Sequence, residues 1–305
     1  MSDPFDRRPD VRYGMAEEVA PTGAPRIRRV TCQNPSPMTF TGTQSYLVGE
    51  GEVALIDPGP DLGAHRAALL GALEPGERIV AVLVTHTHID HSPGARGLGA
   101  EVLAFGRHGT GRSARMAGLE ALGGGEGGDK AFQPDRCLAE GDRVPVGDAV
   151  LEVLHTPGHL STHLSFALAG TGVVFTGDTV MGWATTLVSP PDGDMADFMA
   201  SLGRLGARED RLYLPGHGHP VTEPAAMVAH QIAHREARRD QVLGALEDGP
   251  ATAEALAQRI YRDVDPALLP AAARNVLATL IWQMDAGEVG AEPPLRGGSL
   301  FSRTP

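Results

Sequence analysis

An unbroken apolar run, Ile79 to Val84, leads straight into Thr85-His86-Thr87-His88-Ile89-Asp90-His91, which packs three imidazoles and a carboxylate into six positions. A solvated turn has no reason to choose His three times. Zinc takes neutral imidazole nitrogen and carboxylate oxygen at roughly 2.0–2.2 Å, and a tight loop leaving a rigid strand converges such groups without rebuilding the fold. The segment therefore asks for a fold whose strand ends carry functional loops. His86 and His88 approach one ion from the same side, while Asp90 and His91, beyond a turn, address a second.

Three later segments supply matching chemistry. In His155-Thr156-Pro157-Gly158-His159, Pro and Gly exclude a helical histidine pair, so one of the two turns into the site. We take His159, and read His155 as a packed strand-end residue. His163 alternates with the strand beyond and is either core or a residue that orients other groups. Phe175-Thr176-Gly177-Asp178-Thr179 runs a strand into a carboxylate, and a pair of cations about 3.5–4 Å apart needs a bridging acid from a separate loop. Asp178 fits that role. In Gly216-His217-Gly218-His219-Pro220 the flanking glycines let His217 come close, whereas His219 is pushed into an extended conformation by the following proline.

The surrounding pattern is mixed α/β. Residues 1–25 are polar, rich in Pro and charge, and predict an extended arm. Strands follow at Arg26–Cys32, Ser45–Val48 and Glu52–Ile56, the last two forming a hairpin across Gly49-Glu50-Gly51. A helix over Leu62–Leu73 and the strand Ile79–Val84 complete a βαβ unit, with a further strand at Val102–Phe105. Residues 107–132 are Gly-rich and predict a long loop around a short helix that covers the site. A second block has strands at Ala149–Leu154, His163–Leu168 and Val173–Phe175 and a helix at Met195–Leu205. Two β-rich halves with flanking helices predict a layered sandwich. From 225 to 292 the chain becomes helical (Ala225–Leu246, Ala253–Ile260, Pro266–Met284), as in a helix-turn-helix or winged-helix unit, and 293–305 reads as a loosely held tail. The expected divisions are thus 1–25, 26–224, 225–292 and 293–305.

Bulk properties narrow the classes. A chain of 305 residues with net charge −12 buries a real core and lacks a whole-body electrostatic grip on nucleic acid. Cys32 and Cys137 belong to no metal or disulfide spacing and read as buried thiols. With no apolar leader and no span of membrane length, a cytoplasmic protein is expected, without a membrane partner. Arg235, Arg238 and Arg239 read as a solvated helix face offset by Glu236 and Asp240, with nucleic-acid contact as the rival reading. Oligomeric state is left open, a homodimer included.

An early Asp, then H-x-H-x-D-H, a later His, a Gly-Asp and a final Gly-His occur here in order, and over roughly Arg26 to Thr222 the chain resembles the metallo-β-lactamase superfamily. The resemblance implies a four-layer αββα sandwich, α/β (α+β) in class, with two zinc ions per chain. His86, His88 and His159 would hold one, Asp90, His91 and His217 the other, with Asp178 between. Asp57, in Leu55-Ile56-Asp57-Pro58-Gly59, would stand as a carboxylate just behind the ligands. Asn34-Pro35-Ser36-Pro37, Gly42-Thr43-Gln44-Ser45-Tyr46-Leu47-Val48-Gly49 and the helical C-terminal unit are similar to the branch containing the lactamase-B-like endoribonuclease with its winged-helix-like tail.

A zinc-dependent hydrolase using a metal-bridging hydroxide is therefore expected, with Asp90 steering the proton. The branch resemblance suggests phosphodiester hydrolysis of single-stranded RNA. The acidic balance and the lack of an Arg and aromatic run for stacking bases suggest a thioester or ester of a small metabolite, as in glyoxalase II or lactonase relatives. A non-catalytic metal-bound binding module ranks last.

Overall fold

A computed structural model of the chain describes residues 4–125 and 127–304. Residues 1–3, 126 and 305, which fall in the expected arm, Gly-rich insertion and tail, lie outside the described residues. Two sheets face each other. The first runs β1 (Ala16–Glu18), β2 (Ile27–Thr31), β3 (Gln44–Val48), β4 (Glu52–Ile56), β5 (Arg78–Leu83), β6 (Glu101–Ala104) and β7 (Arg136–Cys137) side by side in chain order. Pairing is antiparallel from β1 to β4 and parallel from β4 to β7. The second sheet has β8 (Arg143–Val146), β9 (Ala149–His155), β10 (Leu164–Leu168), β11 (Val173–Gly177) and β12 (Leu212–Pro215), also adjacent in order.

Side-chain alternation builds the layers. Along β4, Ala54 and Ile56 point into the core shared by the two sheets with Leu83, Leu151, Val153 and Phe166. Val53 and Leu55 point the other way and meet Leu69 of α1 (Gly63–Gly71). A strand buried on both faces has to be apolar throughout, as β4 beyond Glu52 is. The outer face of the second sheet, with Val174 and Tyr213, is covered by Phe198 and Leu202 of a further helix and by Met227 and Val228 of the next. Helix, sheet, sheet, helix is the expected αββα sandwich. Each fully buried Leu, Ile or Phe contributes roughly 1.5–3 kcal/mol to holding it.

The remaining helices are α2 (Ala114–Ala117) in the Gly-rich insertion, α3 (Met195–Gly206) and α4 (Pro224–Ala245) on the outer face, then α5 (Ala253–Ile260) and α6 (Leu269–Asp285) in the C-terminal unit. Asp194 caps α3 by accepting from Ala196 N, and Thr252 caps α5 from Ala255 N. Residues 266–268, expected to open the last helix, form a separate 3-10 turn.

Arg235, expected on a solvated helix face, is buried, and Ala16–Glu18 of the expected arm form the edge strand of the first sheet. Two other expectations are corrected. Cys137 is exposed, because it lies on β7, which is paired only with β6 at the sheet edge; Cys32 is buried. The stretch after Pro293 is not loosely held throughout: β14 (Phe301–Arg303) pairs with β13 (Val289–Ala291), and Phe301 is buried among the C-terminal helices as the wing of that unit. Among the described residues, no helix is long and apolar enough to cross a membrane.

Backbone and side-chain bonds sew the two sheets together at one end. Tyr46 Oη on β3 donates to Pro215 O on β12 at 2.7 Å, and Gln44 N donates to Gly216 O at 2.8 Å. The carboxyl ends of β4, β5, β9, β11 and β12 all emerge there, so five loops distant in sequence share one cleft.

Candidate metal centre

Four strand ends deliver the seven expected ligands to that cleft: β5 carries His86, His88, Asp90 and His91, β9 carries His159, β11 carries Asp178 and β12 carries His217. His88 Nδ1 lies 3.0 Å from both His86 Nε2 and His159 Nε2. His91 Nε2, His217 Nε2 and Asp90 Oδ2 form a second group with separations of 3.2, 3.4 and 3.2 Å. Asp178 stands between them, Oδ2 at 3.4 Å from His217 Nε2 and 3.6 Å from His159 Nε2, Oδ1 at 3.6 Å from His91 Nε2.

Proton positions show what these groups require. His159 Nδ1 donates to Leu187 O at 2.7 Å, His217 Nδ1 to Gly42 O at 3.2 Å and His91 Nδ1 to Asp57 Oδ2 at 2.8 Å. Carbonyl and carboxylate oxygens only accept, so each outer nitrogen carries a proton, and each Nε2 is the atom turned inward, a lone pair in the neutral ring. Those lone pairs face one another and two carboxylates, and Asp178 Oδ1 is buried with no hydrogen-bond partner. Imidazole nitrogens and carboxylate oxygens brought this close need positive charge between them, which protons supply in part and metal ions supply in full. A tetrahedral ion with bonds near 2.0 Å separates its ligand atoms by about 3.3 Å, which matches the spacings within each group. The donor set of imidazoles and carboxylates fits two such ions.

Charge follows the same division. Burial first, then mutual repulsion, holds His86 well below its ordinary value, and burial with His159 holds His88 at about 3. Against the burial that opposes charge, Asp90, Asp178 and Asp57 raise His91 to about 9, and Asp178 and Asp90 lift His217 well above its usual range. The second group therefore sits in a strongly negative field that a cation would neutralise.

Neighbours hold the ligands. Asp57, in a left-handed conformation at φ 50°, accepts from Thr85 N and Thr85 Oγ1, both at 2.7 Å, besides His91. Thr85 Oγ1 in turn meets His86 Nδ1 at 2.9 Å. His163 is one of the orienting residues: its Nε2 accepts from Asp178 N at 3.0 Å, and its Nδ1 meets Thr156 Oγ1 and Thr179 Oγ1. Gly216 leaves room where a Cβ would come within 2.4 Å of Asp178 Oδ1. His155 lies outside the cluster, stacked on Phe105, and His219 reaches Arg8 O at 2.9 Å.

Sequence reasoning missed Asp129, whose carboxylate accepts from Ser92 Oγ and Arg96 and whose N–H donates to Thr87 O, bracing the ligand loop from the Gly-rich insertion. It also missed Thr186, whose hydroxyl donates to Asp178 O at 2.6 Å. Neither lies in a dense motif, so neither leaves a local signal.

A profile of the metallo-beta-lactamase superfamily matches residues 38–217, and one of the beta-lactamase associated winged helix domain matches residues 252–282. The chain belongs to the metallo-beta-lactamase superfamily. Members are metal-dependent hydrolases, and this chain is one, with a winged-helix unit at its C-terminal side. It is 30% identical over 82% of its length to a beta-lactamase-like protein 2 homolog of Drosophila melanogaster, covering 84% of that protein. It is 31% identical over 74% of its length to an atrochrysone carboxyl ACP thioesterase of Aspergillus fumigatus, spanning 66% of that relative. Among solved structures, a beta-lactamase domain protein from Burkholderia ambifaria superposes with TM-score 0.76 at 25% identity, covering 95% of this chain and 94% of that one. A metallo-beta-lactamase family protein from Thermus thermophilus gives 0.73 at 26%, with 91% and 98% covered.

Proposed function

We propose that this superfamily member hydrolyses a thioester or ester of a small acyl compound with two zinc ions. The observation that carries this reading is the wall above the ligands. A cavity of about 420 Å³ opens over His88, His159, Asp178 and His217, and Met38, Ile89, Leu160, Met181 and Leu187 line it. That volume suits a small molecule, and the apolar wall suits an acyl chain. Among the described residues, its lining includes no Lys or Arg to grip a polyphosphate backbone. The resemblance to an ACP thioesterase supports the same class.

The arginines that would favour RNA are engaged elsewhere. Arg235 is buried over the Phe198 ring, Arg238 lies 4.1 Å over Tyr261, and Arg239 pairs with Asp240.

His86, His88 and His159 would hold one ion, Asp90, His91 and His217 the other, with Asp178 shared. Zinc, when bound, supplies Lewis acidity that polarises the acyl carbonyl and makes water acidic enough to attack at neutral pH. Asp90 keeps its carboxylate aimed through Thr43 Oγ1, which donates to Oδ2 at 3.2 Å. With its side chain 23% exposed, against 9% for Asp178 and 2% for Asp57, it is the site carboxylate best placed to take the attacking water's proton and pass it to solvent. Leu160 and Leu187 exclude bulk water from the acyl face.

The test is a paired assay of zinc-loaded enzyme on acyl thioesters and esters and on labelled single-stranded RNA. Thioester or ester turnover that stops on chelation is expected. RNA cleavage without acyl hydrolysis would overturn the proposal.

A further inference from the structure

The C-terminal helices reach the metal centre through the loop Thr186–Val188. Leu187 C=O and Val188 N–H belong to the same amide. Its oxygen accepts from His159 Nδ1 at 2.7 Å, and its nitrogen donates to Asn275 Oδ1 of α6 at 2.9 Å. Asn275 Oδ1 also accepts from Arg235 Nη1 of α4 at 3.3 Å, and Arg235 Nη2 donates to Thr186 O. Thr186 closes the circuit, its hydroxyl donating to Asp178 O at 2.6 Å. Two helical residues therefore grip both sides of a three-residue loop that backs two metal ligands.

We infer that Asn275 and Arg235 are positioning residues for the metal centre, setting the tautomer and aim of His159 and the seat of Asp178 through the Thr186–Val188 loop. An amide whose N–H is bonded is a more polarised acceptor at its oxygen, so Asn275 strengthens the bond that fixes the proton on His159 Nδ1 and leaves Nε2 free. The Arg235 guanidinium, buried at 4% exposure, adds positive charge behind the Thr186 carbonyl. Partners that orient a ligating histidine are typically worth 10–100-fold in metal affinity, and an effect relayed through one peptide belongs at the lower end. The winged-helix unit is in this sense part of the site it flanks.

The inference rests on the metal-centre reading, not on the acyl substrate. The test measures zinc affinity by competition with a chromophoric chelator, alongside thermal unfolding, for the full chain and three variants. Asn275→Ala should weaken one of two zinc ions by about 10-fold, while Asn275→Asp, which keeps the acceptor oxygen, should restore it. Val276→Ala, the next residue of α6 and fully buried in the C-terminal core, should lower the Tm and leave zinc affinity at the full-chain value. Wild-type affinity in Asn275→Ala, equal loss in Asn275→Ala and Asn275→Asp, or equal loss in Val276→Ala would each overturn the inference. If the unaltered chain binds no zinc at all, the metal-centre reading itself fails.

Discussion

Asp57 Oδ2 accepts the Nδ1 proton of His91 at 2.8 Å, while the same oxygen accepts from Thr85 Oγ1 at 2.7 Å. One carboxylate at the end of β4 thus ties the first and last residues of the ligand loop together. Asp57→Asn keeps a side chain that tolerates the left-handed backbone but removes the charge. The variant should fold, with an unchanged far-UV spectrum, and should bind the ion held by His91 about 10–100-fold more weakly in a chelator competition.

Asp178→Ala removes the carboxylate that faces both ligand groups. Purified protein should lose at least one of its two ions by elemental analysis and show no measurable hydrolysis. Full metal retention would refute a bridging role.

Arg274 fastens the Gly-rich insertion, Nη1 donating to Leu122 O at 3.0 Å, Nη2 to Gly123 O at 2.8 Å and Nε to Ser189 Oγ at 2.9 Å. Gly125 and Gly127 of that insertion line the cavity. Arg274→Ala should raise KM several-fold with a smaller change in kcat, the mark of lost uniform binding, and should speed proteolysis within residues 107–132. Zinc affinity should not move.

His65 lies buried beneath Gly59, Nε2 at 2.8 Å from Ser45 Oγ, and burial pulls it down to about 4. A depressed folded value means the unfolded chain binds the proton first. Stability from this group is complete above pH 6.5 and is lost as pH falls from 6.5 towards 4, by about 3 kcal/mol at most. Urea unfolding of metal-free protein at pH 7 and pH 4.5 should show a smaller acid loss in His65→Gln than in the parent chain. Equal losses would remove His65 from the account.

The sandwich, and the histidines and aspartates that converge at one end of it, were readable from the sequence because each rests on a local pattern. Apolar runs ending in His or Gly-Asp mark strand and loop together, and the glycines beside His217 and before Asp178 mark close approach. What escaped depends on contacts between distant segments. Nothing near Asn275 distinguishes it from an ordinary helix residue, Arg235 reads as one of a solvated arginine face yet is buried over Phe198, and Asp129 gains its role only when the insertion folds back on Thr87. Phe301 follows a Gly- and Pro-rich stretch that reads as unstructured, yet it pairs with β13 and Ala251. Cys137 shows the converse: its residue type suggested burial, but the edge of a sheet decides otherwise.

The bonds from Tyr46 to Pro215 and from Gln44 to Gly216 clasp the two sheets beside the ligands, like a book sewn at its spine. Any breathing of the sandwich should therefore pivot about the end that carries the histidine and aspartate cluster and open widest at the far rim. Warming such a molecule should fray the margins furthest from that clasp first, so that the histidine and aspartate cluster endures as the last ordered region, and the amides of Gln44 and Gly216 should be among the slowest to exchange with deuterated solvent.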